Sequence, residues 1–329
     1  MTFPVTPCYP AANTPSSGVT TTFTVAGPVA LFDPAVIGTH TTVASWDISS
    51  PTGTDDRVVN ADSITENLAL TETYTVVLTF AAGEETLVTS LNCNTDGITA
   101  LDVVALTELV SIYAYGNALT TVDVSGLASL EILSCYSNSG MTTLTLTGAT
   151  ALTHLSCSAC SLSALDITAS TGLTYLSCGS NSLTSLDFTG QTSLTYVECV
   201  NNSLTTMTAV TDMTALVTFY CYGNSLTTVD VSGLASLDTL FCYSNSGMTT
   251  ADISGTTALA DFRTQGNALS AAVIDAILIQ GDIDWTASGL TIQYDIMAGD
   301  TDHDSARSSA ATTAIANMSG EGWTRLGTY

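Results

Sequence analysis

The chain has 329 residues, of which 45% are hydrophobic, and it carries 30 Asp+Glu against 4 Lys+Arg for a formal net charge of -26. So apolar a chain is not a disordered tail. Its four cations, all Arg, exclude the clustered positive charge that a nucleic-acid backbone or an anionic membrane surface demands. No apolar run reaches 18 residues, so no membrane-spanning helix and no membrane insertion are expected. The opening MTFPVTPCYP has neither a basic nor an apolar leader region, so no standard export signal is expected.

Residues 1-86 show alternating apolar and polar segments, TTFTVAG, HTTVASWDIS and ETYTVVLTF, separated by Pro and Gly. Period-two alternation predicts strands, and several short strands in this length predict a small antiparallel β-sandwich. The YTVVLTF segment resembles the last strand of polycystic-kidney-disease-like and other immunoglobulin-like (Ig-like) modules. That resemblance implies an attachment domain that caps the element after it.

Residues 87-270 are repetitive. The pattern apolar-x-x-apolar-x-Cys restarts at Val88, Leu109, Leu130, Leu152, Leu173, Leu194, Leu216, Leu237 and Leu259, at intervals of 21 or 22 residues. Residues 120-143 nearly recur at 227-250, five repeats later, as a block duplication leaves them. A fixed period of this length predicts a solenoid of stacked units sharing one core. The fourth position of each unit (Leu91, Ile112, Leu133, Leu155, Leu176, Val197, Phe219, Leu240, Phe262) points inward. So does the sixth, which is Cys in seven of the nine units, with Ala114 and Thr264 in the others. The ninth position is Asn except at Asp96 and Cys160, and buried amides there are expected to bond the neighbouring turn. A second apolar pair, such as Leu186 and Phe188 or Val229 and Val231, lines the opposite wall.

These units resemble the leucine-rich-repeat family, in the short bacterial and phage-borne form LxxLxCxxNxLxxLD. The expected fold is therefore a β-rich solenoid of nine leucine-rich repeats, with an N-terminal β-sandwich and a C-terminal cap. In-register Cys neighbours have poor disulfide geometry, and a line of thiols does not converge on a metal. The Cys column is expected to be a row of small buried hydrophobes.

Residues 271-329 are expected to cap the solenoid. SAAVIDAILIQ has helical apolar spacing at Val273, Ile274, Ile277 and Leu278. A strand, a polar loop, a short helix at Ala314 to Met318 and then Gly322-Trp323 follow, an order that resembles the tails of such repeat proteins. Asp300, Asp302 and Asp304 have the alternation of a calcium loop, but Ser305 and Ala311 stand where an EF-hand needs Gly and Glu. No cofactor is expected, and calcium is kept only as a weak candidate. The acids Asp102, Asp123, Asp166, Asp187, Asp230 and Asp252 recur at most once per unit and are expected to bond nearby Ser, Thr or turn amides.

The chemistry-bearing surface is aromatic. Positions three, five and seven point out of the strand and carry Tyr113, Tyr115, Tyr136, Tyr175, Tyr196, Tyr220, Tyr222, Phe241 and Tyr243, with His154, Glu198, Asp261 and Arg263 among them. Eight of the chain's 12 Tyr fall here, so the enrichment belongs to this face and not to the chain. Tyr offers an apolar ring and a hydroxyl at low entropy cost, as binding faces require. A cross-strand ladder that only stabilises the sheet is the other reading. No nucleophile–base, phosphate-cradle or zinc-protease motif is present, so the chain is not read as an enzyme. The expected role is a bacteriophage virion structural protein: capsid decoration, head fibre or tail-associated. Its N-terminal domain would dock on other virion proteins, and its solenoid on host glycan or protein. A bacterial cell-surface adhesin and a polysaccharide-degrading enzyme are the alternatives.

Overall fold

A computed structural model describes residues 89–94 and 98–270, helical residues 272–274 and 276–277, and strand backbone at 20–26, 43–49, 57–59, 73–80, 291–293 and 324–326. Cys8, His40, Asp96, Asp300, Asp302, Asp304 and residues 314–323 lie outside the described residues.

Each repeat begins with a three-residue strand, because its apolar residue must enter the core while its neighbours face out. The nine strands run from Ser90–Asn92 and Ser111–Tyr113 to Thr239–Phe241 and Asp261–Arg263 and pair in parallel, in register, with one another. Thr291–Gln293 and Thr324–Leu326 extend the same sheet to eleven strands. The tail's expected strand is therefore present, beside Asp261–Arg263. Three short parallel pairs, such as Ser185–Asp187 with Thr206–Thr208, form the opposite wall.

The apolar columns fill the space between the walls. Every fourth-position residue is at most 1% exposed, and Leu186, Phe188, Val229 and Val231 close the core from the far side. Each apolar side chain so buried contributes about 1.5–3 kcal/mol. Ile274 and Ile277 join the same core at the C-terminal end, so helical spacing after Leu269 does bury an apolar edge there. No helix among the described residues is long and apolar enough to cross a membrane.

The eight described Cys are buried and none is in a disulfide. Six of them, Cys135, Cys157, Cys178, Cys199, Cys221 and Cys242, form an unbroken column whose backbone N–H groups donate to the next strand. Burial pushes their thiol pKa values up, Cys242 to about 12, so they stay protonated and behave as small apolar groups. Changing Cys178 to Ser is expected to cost about 1–2 kcal/mol, since a hydroxyl replaces an apolar sulfur in a dry column. The measurement is the thermal midpoint by circular dichroism, and an unchanged midpoint would show that the column tolerates polar groups.

At the N-terminal end, Thr20–Ala26, Val43–Ser49 and Thr73–Phe80 coincide with the expected strands, and Arg57–Val59 is added. They form one antiparallel sheet whose edge strand is Ile98–Leu101, from the first repeat. This sheet thus shares a strand with the solenoid.

Candidate functional site

Strand alternation decides which side chains reach the outer face of the large sheet. His154, Tyr175, Tyr196 and Asp261 begin their strands, and Tyr113, Glu198, Tyr220, Phe241 and Arg263 end theirs. Tyr115, Tyr136, Tyr222 and Tyr243 follow two residues later, beyond the inward Ala114 or Cys. All thirteen are half-buried.

The parallel register brings side chains of successive rungs together at the strand spacing of about 4.8 Å. The rings respond by stacking. Tyr115 and Tyr136 lie 4.6 Å apart and 5° from parallel. His154, Tyr175 and Tyr196 form a continuous stack with centroid separations of 4.1 and 4.7 Å. Tyr220 stacks on Phe241 at 4.8 Å, and Tyr222 on Tyr243 at 4.3 Å. Tyr196 meets Tyr220 edge-on, at 85° and 5.8 Å, which joins the middle stack to the C-terminal one. Each such pair adds about 0.5–1.5 kcal/mol to stability. The stacked ladder and the face expected to bind are thus one set of half-buried residues.

Stacking also sets the electrostatics. Burial lowers the His154 pKa, so the imidazole is neutral at pH 7. Burial, the neighbouring Tyr175 and the Glu198 carboxylate push the Tyr196 phenol up to about 12, so it stays a neutral donor and acceptor. Among the described side chains, charge on the face is confined to Glu198 and to the Asp261–Arg263 pair. Arg263 donates through Nε and Nη2 to the two oxygens of Asp261 at 3.1 and 2.8 Å, and its guanidinium lies 4.2 Å over the Phe241 ring.

Glu198 is held by partners that the repeat pattern did not single out. Its Oε2 accepts from the Ser177 hydroxyl at 2.7 Å, the Ser158 hydroxyl at 3.1 Å and the Gly179 N–H at 3.3 Å. A Cβ at position 179 would collide with this carboxylate, so Gly179 makes the room it occupies. The signal was present in the sequence as small residues at positions five and seven of the rungs just before the acid: Ser156, Ser158, Ser177 and Gly179. Oε1 of Glu198 accepts no hydrogen bond from the described chain and is the atom that packs nearest to Gly179.

The acidic row lies on the other wall. Asp123, Asp166, Asp187, Asp230 and Asp252 each accept from the backbone N–H two residues on, at 2.9–3.0 Å. Hydrogen bonds from Thr168 and Thr189 lower the Asp166 and Asp187 pKa values. These acids tie turns, as expected. Among the described residues no group of three His, Cys, Asp or Glu side chains is placed to hold a metal ion.

The fold is similar to that of solved structures. The functional domain of InlJ from Listeria monocytogenes, described as including a cysteine ladder, has 28% sequence identity and a TM-score of 0.50, over 70% of this chain and 54% of that chain. The described repeats form a β-solenoid with the leucine-rich-repeat fold. The chain spans about half the length of that Listeria structure. A leucine-rich-repeat protein of Leptospira interrogans is 17% identical over 60% of each chain, with a TM-score of 0.45. Internalin C2 of Listeria monocytogenes is 18% identical over 59% of this chain and 78% of its own, with a TM-score of 0.38. No protein-family model matches the sequence, and no curated relative does. In this leucine-rich-repeat solenoid the buried Cys column and the aromatic face occupy opposite sides of the same strands.

Proposed function

We propose that the chain is a non-enzymatic recognition module whose aromatic sheet face binds a protein partner. The observation that carries this reading is the run of stacked, half-exposed rings from Tyr115 to Tyr243 with hydroxyls along its surface. Rings already ordered by stacking lose little entropy on binding, which is what a Tyr-rich contact face exploits. A host-surface glycan is the other ligand this chemistry accommodates.

The setting proposed for the module is the outer surface of a bacteriophage virion, with residues 1-86 attached to other virion proteins. Its support is compositional: only 10% of residues are charged, Lys is absent, and Ser, Thr and Asn carry the surface, as suits a permanently exposed structural protein. A bacterial cell-surface adhesin is the second reading, favoured by the likeness to a Listeria protein's functional domain.

Two experiments test these proposals. Changing Tyr220 and Tyr222 together to Ala is expected to reduce binding of labelled protein to the surface of source-culture bacteria at least tenfold. The melting midpoint should fall by only a few degrees, from two lost ring stacks. A large fall in midpoint with unchanged binding would assign the rings to the sheet alone. Quantitative mass spectrometry on gradient-purified virus particles and on cell envelopes decides the setting. Stoichiometric recovery with particles is expected, and recovery only with envelopes would replace the virion by the adhesin.

A further inference from the structure

We infer that the partner recognised by the middle of the aromatic face is a basic polypeptide segment, docked by an Arg or Lys side chain on Glu198. This rests on the reading of the face as a protein-binding surface and names the chemistry of what it binds.

Three observations carry the inference. The first is the state of the carboxylate. Three donors pin Oε2 of Glu198, so the group is held in one orientation before any ligand arrives, while Oε1 accepts no hydrogen bond from the described chain. A fixed anionic acceptor with a free oxygen gains most from a charged donor, because charge-assisted hydrogen bonds are about twice as strong as neutral ones. The second is its surroundings. Tyr196 is on the same strand as Glu198, and Tyr220 is its register partner on the next, so aromatic edges and hydroxyls flank the acid. Ser156, Ser158, Ser177 and Gly179 on the rungs before it are small, and the carboxylate lies against Ser158, Ser177 and Gly179.

The third observation is a copy of the proposed contact within the chain. Arg263 lies two positions along its strand from Asp261, is held by that carboxylate, and rests on Phe241 of the neighbouring strand. Carboxylate, guanidinium and ring are thus already assembled at one end of the face. The middle repeats the carboxylate and the rings, at Glu198, Tyr196 and Tyr220, but has no cation: Arg263 is the only Lys or Arg between residues 58 and 306. Among the described side chains the one cation is Arg263, which Asp261 already holds, so the middle contact is left for a basic partner to complete. A net charge of -26 draws such a partner in and gives no comparable attraction to a neutral sugar.

The test is a fluorescence-anisotropy titration with a labelled Gly-Ser peptide containing three Arg residues, in 0.15 M salt. Wild-type protein is expected to bind it, and to bind the same peptide with citrulline for Arg at least fivefold more weakly. Glu198→Gln, which keeps the shape and removes the charge, is expected to weaken binding of the Arg peptide at least fivefold. The double variant Asp187→Asn, Asp230→Asn removes two charges from the other wall and should change affinity less than twofold. Equal losses in the two variants would reduce the effect to diffuse attraction and overturn the inference. So would equal affinity for the citrulline peptide, or displacement by neutral oligosaccharide but not by unlabelled Arg peptide. Loss of cell-surface binding in the Tyr220 and Tyr222 variant, with Glu198→Gln and wild type alike in both assays, would overturn the cation while leaving the protein-binding face in place. Retention of cell-surface binding by the Tyr variant would remove the face itself.

Discussion

Replacing Asn224 with Ala is expected to destabilise the solenoid by about 3–4 kcal/mol. Asn224 Nδ2 donates to the carbonyls of Cys199 and Cys221 at 3.0 Å, and its Oδ1 accepts from the Leu204 N–H at 3.1 Å. One side chain therefore satisfies three backbone groups on two rungs, and the residue is buried. Its loss orphans those groups where water does not reach, at roughly 1 kcal/mol or more for each. Asn224→Asp is expected to be at least as damaging, because its carboxylate would face the same two carbonyls with no donor. The chain contains its own control at Cys160, which stands in the same column. Its Sγ donates weakly to the Cys135 carbonyl at 3.5 Å. The N–H that an Asn there would serve, on Met141, is bonded instead to the Asn138 carbonyl at 2.9 Å. The extra residue in Asn138-Ser139-Gly140-Met141 closes that turn on itself, and Asn245-Ser246-Gly247-Met248 does the same, with Met248 N–H donating to the Asn245 carbonyl at 2.8 Å. Cys160→Asn should accordingly change stability by less than 1 kcal/mol, about a typical single hydrogen bond. Urea unfolding of the three variants checks this ordering. Similar losses at 160 and 224 would mean that the column stabilises by packing and not by its hydrogen bonds.

What could be read from the sequence was what every rung repeats. Leu133, Cys135 and Asn138 recur as a set in nearly every unit, so their direction followed from the period alone, and the Tyr face followed from the positions left over. What could not be read was what occurs once. Ser158 and Glu198 are 40 residues apart at different positions of their units, and they meet only because two rungs bring them within 3.1 Å. The choice of Ile98–Leu101 as the edge of the N-terminal sheet is likewise a non-local pairing that strand propensity does not encode. Thr324–Leu326 carries none of the repeat's Leu and Cys spacing, so its place in the eleven-stranded sheet had no periodic signal. Ring orientation was hidden as well: Tyr196 stacks flat on Tyr175 but turns its relation to Tyr220 by 85°, a packing outcome that residue type does not fix.

Replacing Phe219 with Ala is expected to cost about 3–5 kcal/mol, at the upper end for a single substitution in this chain. Phe219 is fully buried and belongs to the first wall; Phe188, from the opposite wall, meets it edge-to-face at 6.4 Å and 85°. Few other contacts cross the core between walls with so much ring area, so the cavity left by Ala would be lined on both sides by groups held in place by their own strands. Such a cavity closes poorly, which adds to the transfer cost. In a solenoid the damage is local, since each unit contacts only its neighbours. Hydrogen exchange should therefore quicken most at Cys199, Cys221 and Cys242, whose N–H groups bond the adjacent strands, and least at Cys93 and Ala114. Phe219 also separates Thr218 from Tyr220 on the outer side of its strand, so opening this rung displaces Tyr220 from Tyr196 and Phe241. The variant should then lose peptide binding at temperatures well below its global unfolding midpoint. If exchange rose uniformly along all rungs instead, the nine units would be unfolding as one cooperative block, and the face would fail only when the whole solenoid does.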